Sequence, residues 1–141
     1  MILFHAGSGP DSQAIGIALE EMMLDYTLAP GRAPVPVTVV GQARMPGHAN
    51  ILMALARKTG RFLADADTAA PWLAKAPPGL DAIEAQLATR AFLLDAYTVI
   101  DMAIYPLVAN SDLRAHPQAQ AWAERLRIRP AVGRGMGVVA G

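Results

Sequence analysis

The side chains with catalytic potential in this chain are hydroxyls and imidazoles, because it has no cysteine. Disulfides, thiolate metal sites and a cysteine nucleophile are thereby excluded. Ser8 and Ser12 both lie in AGSGPDS, immediately after the apolar run Met1–His5. Ser12, or Asp11 beside it, can cap the helix that follows. Ser8 belongs to the preceding loop. His5 ends a buried strand and reads as a structural histidine. His48 stands near a helix start, and His116 precedes Pro117, where it helps to start another helix. The three imidazoles are far apart and lack metal-ligand spacing. AGSGP lacks the G-x-x-x-x-G-K-[ST] of a phosphate-binding loop. GRGMG follows the last helix with no strand before it, so it is not a dinucleotide fingerprint.

The elements that must position these residues follow from periodicity and punctuation. Met1–His5 reads as a strand, and Ile15, Ala18, Leu19 and Met22 as one stripe of the first helix. Asp25–Leu28 is a second short strand, and Pro30–Pro34 a turn-like linker. Val35–Val40, rich in β-branched residues, is a third strand; Gly41-Gln42 turns the chain into a brief fourth, Ala43–Met45. The next helix starts near His48 and ends at Thr59-Gly60. Ala64–Pro78 reads as a connection. From Gly79 onward the pattern is helical: a stripe of Leu80, Ile83, Leu87, Ala91 and Leu94, then Thr98–Val108, then Pro117–Ile128 with Ala119, Trp122, Ala123 and Leu126 facing inward. Arg129-Pro130 stops that helix. The tail GRGMGVVAG holds four glycines and reads as partly disordered. Glu20-Glu21 reads as a solvated pair. Thr98 and Asp101 have the spacing of a capping box, with Tyr97 and Met102 at the hydrophobic-staple positions.

Size and charge bound the rest. The chain has 141 residues, 53% of them hydrophobic, which suffices for one domain or for two very small ones sharing a core. Twelve basic and twelve acidic residues balance to zero. That balance gives no electrostatic case for nucleic acid or an anionic membrane. The start MILFHAGSGP lacks the pattern of a secretory signal. No apolar run approaches the ~18 residues of a membrane helix. A cytoplasmic protein is the expectation.

YTVIDMAIYP resembles the cap-and-staple segment of the glutathione S-transferase superfamily, Y-[ST]-[IL]-A-D-[IL]-A. FHAGSGPDSQAIGIALEEMMLDYTL is similar to that family's first strand, first helix and second strand. VPVTVVGQARMPGHANILMALARKTGRFL is similar to its third and fourth strands and third helix, and HPQAQAWAERLRIRPAVGRG to its closing helices. The resemblance implies an α/β thioredoxin-like N-terminal half over 1–63, a linker over 64–78 and an all-α half over 79–141. It also implies glutathione as co-substrate, a small electrophilic or apolar molecule in the cleft between the halves, and a homodimer.

Departures from the family pattern are as informative. Pro30–Pro34 replaces the loop and second helix, which supply one wall of the glutathione site. If the second and third strands flank the first, their ends lie ~10 Å apart, a gap five extended residues cover. The Glu-Ser or Gln-Ser pair that opens the third helix and holds the γ-glutamyl end of glutathione is here Gly47-His48. The side-chain acceptor for the γ-glutamyl ammonium is lost there; His48 could donate to a carboxylate, or simply be an exposed helix-start residue. The long fourth helix is cut to about one turn near Pro71-Trp72-Leu73, leaving Trp72 as a core plug or part of a reorganised interface. Val35-Pro36 matches the family's cis-proline, whose preceding residue offers backbone groups to the cysteinyl part of glutathione. At the thiol-activating position the resemblance implies Ser12 or Ser8, which alternatively are a helix cap and a loop residue. Two functions follow: a miniature glutathione transferase, or a non-catalytic binding or assembly module on the same fold.

Overall fold

Alternate residues of the first strand, β1 (Ile2–His5), part to opposite faces: Ile2 and Phe4 are buried, Leu3 and His5 half-buried. The computed structural model describes residues 2–31, 37–40 and 43–139. Helix α1 (Pro10–Glu21) crosses over the buried face and returns the chain to β2 (Tyr26–Leu28), parallel to β1. A parallel pair requires such a crossover. Strand β3 (Val37–Val40) pairs antiparallel with β1 on its other side, and β4 (Ala43–Pro46) pairs antiparallel with β3. The order is β2-β1-β3-β4, so β2 and β3 do flank β1. Phe4 stands opposite Leu28 on one side and Thr38 on the other.

Two reversals, β1 to β3 and β3 to β4, leave β4 running in the same direction as β1. Helix α2 (His48–Thr59) follows β4 directly, as α1 follows β1 after a short loop. Both helices therefore begin at one edge of the sheet. Helix α2 ends where predicted, with Gly60 left-handed at φ +69° and its N–H donating to the Ala56 carbonyl.

Helix α1 is buried nearly all round rather than along a stripe. Ile15, Ala18, Leu19 and Met22 are in the core as predicted, and so are Ile17 and Gly16. The reason is the tail. Residues 130–136 form α7 (Pro130–Met136), followed by a 3-10 turn over Gly137–Val139, and both pack on α1. The glycines read as a sign of disorder instead allow this contact. A Cβ on Gly135 would lie 2.3 Å from the Ile17 nitrogen, and one on Gly16 2.6 Å from the Gly135 carbonyl oxygen. The acidic pair corrects in the same way. Glu21 is buried and takes two hydrogen bonds from Arg129 (2.7 and 3.2 Å), while Glu20 pairs with Arg134.

The remaining helices are α3 (Ala66–Ala69), α4 (Leu80–Gln86), α5 (Val99–Val108) and α6 (Pro117–Arg127). The fourth-helix region is indeed about one turn, with Asp65 capping α3 by accepting from the Thr68 N–H. Trp72 is buried in the core, which favours the plug reading. The stripe predicted through Leu94 breaks: α4 gives way to a 3-10 turn over Leu87–Thr89, and Ala91 is exposed. Leu93 is buried instead, its carbonyl accepting from Gln86 and its N–H donating to Asp101. Inward-facing Ala119, Trp122 and Leu126 on α6 agree with prediction. Each large side chain so buried contributes about 1.5–3 kcal/mol. Among the described residues no helix is long and apolar enough to cross a membrane.

Candidate functional site

Of the predicted site residues, Ser12 is the one whose position changes most. The N-cap of α1 is Gly9, whose carbonyl accepts from the Ser12 and Gln13 N–H groups, and Pro10 opens the helix. Proline suits that position because its missing N–H is not needed there. Ser12 thus lies in the first turn, 1% exposed, with its Oγ accepting from the Gly7 N–H at 2.6 Å. It pins the loop between β1 and α1. Ser8 sits in that loop and is exposed.

Gly47 caps α2 with φ +89° and ψ 132°, a conformation open to glycine and strained for other residues. That is a backbone reason for glycine where the family pattern has a side chain. No side chain caps this helix end, and such ends attract anions through their N–H groups and dipole. His48, next in the chain, places Nδ1 3.5 Å from Oδ2 of Asp11, in the first turn of α1. The common starting edge of α1 and α2 explains why residues so distant in sequence meet.

A cleft of about 320 Å³ opens at this edge. Asp11, Gly47 and His48 line it together with Trp72, Lys75 and Pro77 from the connection and Ala103 and Leu107 of α5. Helix α5 is held by the predicted capping box. Thr98 Oγ1 accepts from the Ile100 N–H, and Asp101 accepts from the Thr98 N–H at 3.0 Å. Asp101 takes two further donors, the Leu93 N–H at 3.0 Å and Trp122 Nε1–H at 2.8 Å. Burial pushes its carboxyl above the usual range, against the pull of those donors. With all its contacts structural, Asp101 is a cap and not a site residue.

The structure therefore brings Gly47 and His48 to the cleft. Ser8 and Ser12 belong to the loop and helix start of the same edge but do not line it. Val35 and Pro36, with the bond between them, lie outside the described residues. His5 lies on the sheet face away from α1, and His116 bonds Asp81 through Nε2 at 2.9 Å, joining α6 to α4. Among the described residues there is no cluster of His, Asp and Glu able to hold a metal. Sequence reasoning treated Asp11 only as a possible helix cap and gave Lys75 no role. The signal for Asp11 was the parallel direction of β1 and β4.

Neither a protein-family model nor a curated protein matches the sequence. Solved structures do match the fold. A glutathione transferase from Burkholderia graminis, holding two glutathione molecules per subunit, is 21% identical, with a TM-score of 0.79 over 99% of this chain and 88% of that one. A glutathione transferase homolog from Lodderomyces elongisporus, with two glutathione molecules per subunit, is 18% identical, with a TM-score of 0.81 over 97% and 98%. The theta class transferase of Xanthomonas axonopodis pv. citri, with glutathione bound, is 17% identical, with a TM-score of 0.79 over 96% of each. The chain has the glutathione transferase fold, a thioredoxin-like α/β part followed by helices.

Proposed function

We propose that the chain is a glutathione S-transferase-like protein: it binds glutathione and delivers it to, or uses it to reduce, a small electrophile. The observation that carries this is the cleft at the shared start of α1 and α2, lined also by the apolar Trp72, Pro77 and Leu107, in a fold whose solved neighbours hold glutathione. Gly47 and His48 take the γ-glutamyl end, with His48 donating to its carboxylate. Val35, ahead of Pro36, supplies backbone groups to the cysteinyl part. Ser8 or Ser12 donates a hydrogen bond to the sulfur and stabilises the thiolate, the attacking species. Exposure favours Ser8, since Ser12 already accepts from Gly7 and is enclosed. On an aryl halide the thiolate forms the carbon–sulfur bond, halide leaves with the bonding pair, and the thiol proton passes to solvent. The apolar wall suits a small electrophilic or apolar partner. A cytoplasmic setting supplies reduced glutathione, and a homodimer covers apolar residues such as Ile128, 71% exposed.

Retention on immobilised glutathione, with turnover of a generic aryl halide, is the expected result; a folded protein showing neither would reject the proposal. A second reading, a non-catalytic binding or assembly module, is favoured by one observation. Only eight residues join β2 to β3, and α3 has four residues, so two parts of the family's site are pruned. A melting-temperature rise with glutathione but no turnover would select that reading.

A further inference from the structure

We propose that Asp11 recognises the ammonium of an α-amino-acid end group, and that Lys75 joins His48 on the carboxylate of the same group. This inference rests on the glutathione reading above and assigns residues to one end of the ligand. Of the side chains lining the cleft, three can carry a charge: Asp11, His48 and Lys75. Asp11 only accepts and Lys75 only donates. They form no ion pair with each other or with any other described residue, apart from the 3.5 Å approach of His48 to one Asp11 oxygen. That approach leaves the other Asp11 oxygen open, and Asp11 is 53% exposed on its side chain. An acid and an amine that line one cleft without pairing fit a ligand bearing both charges. An α-amino-acid head is such a group, and the carbon wall of Trp72, Pro77 and Leu107 suits what lies beyond it.

The placement also resolves a loss seen in the sequence. Gly47-His48 removes the acceptor that the family pattern puts at the start of this helix. Here an acceptor reaches the same spot from a different element, the first turn of α1, because α1 and α2 start at one edge of the sheet. Lys75 comes from the connection that stands where the family pattern has its long fourth helix, and it lines the cleft.

Calorimetric titration of the full chain with glutathione and with its glutaryl analogue, which lacks only the ammonium, tests the assignment. Wild type is expected to prefer glutathione by about tenfold or more. Asp11→Asn is expected to lose that preference by weakening glutathione alone. Lys75→Gln is expected to weaken glutathione at least several-fold. Equal glutathione affinity in wild type and Asp11→Asn, or a preference that survives the substitution, overturns the inference and leaves the glutathione reading standing. No glutathione binding by folded wild type overturns both. Both substituted side chains are solvent-facing, and unchanged melting temperatures confirm that the variants are folded.

Discussion

Asp101 shows how much one side chain can organise. Its two oxygens accept from the backbone of its own cap, from the returning loop at Leu93 and from Trp122 on another helix. Asp101→Ala strands these three buried donors, and a loss of about 4 kcal/mol is expected. Thr98→Ala removes one cap bond and should cost only about 1 kcal/mol. Urea titrations of the two variants check the ordering, and equal losses would show that the network beyond the cap contributes nothing. A second prediction at this scale concerns Tyr26. Burial first, and then the Glu20 carboxylate, push its hydroxyl from 10.0 up to about 12. The folded state thus holds the proton more tightly than the unfolded chain. The associated stability is complete below about pH 10 and is lost as pH rises toward 12. The melting temperature should fall across that window, and less steeply in Tyr26→Phe.

Elements pack here through what they lack as much as through what they carry. Helices α1 and α7 approach closely because Gly16 and Gly135 face each other without side chains. Gly135→Ala drives a carbon into the Ile17 backbone, and a loss of about 3 kcal/mol is expected. Gly133→Ala lies in the same helix but meets nothing within 4 Å, and should stabilise by about 0.5–1 kcal/mol through helix propensity alone. Thermal melts of the pair separate contact from propensity. The same glycines show why legibility was uneven. Strands, α2, α5 and α6 announced themselves through apolar period and caps, which are local. Over its described residues the tail GRGMGVVAG is ordered, against the reading of partial disorder, because a glycine needed for close approach looks, in sequence, like one that loosens a chain. The break after Leu87 was hidden for a related reason: the apolar spacing continued to Leu94, but the pull of Asp101 on Leu93 acts from a different helix.

At the scale of the whole molecule, the lining of the candidate cleft was half legible. Gly47 and His48, singled out from the family pattern, do line it, whereas Asp11 and Lys75 join that lining through the sheet directions and the path of the connection, neither of which a local motif encodes. The same long-range organisation makes the two parts of the chain one structure. Helix α1 packs on α5 and α7 as well as on α2. Glu21, buried on α1, is bound twice by Arg129 at the start of α7, and Arg129 lies 4.5 Å over the Tyr97 ring. Burial and the nearby Glu21 charge raise the Tyr97 hydroxyl above its ordinary range, so it stays neutral beneath the guanidinium. Arg129→Ala leaves the Glu21 carboxylate buried and unpaired. Because Arg129 itself is partly exposed, water can reach the gap, and a loss of about 2 kcal/mol is expected. The informative part is its distribution. Tryptophan fluorescence reports Trp72 of the connection and Trp122 of the helical region, while far-UV circular dichroism reports the entire fold. If α1 joins the parts as described, the two signals coincide in wild type and shift together in Arg129→Ala. Separation of the two curves in the variant would show that the sheet and the helical region unfold as independent units, with α7 belonging to only one of them.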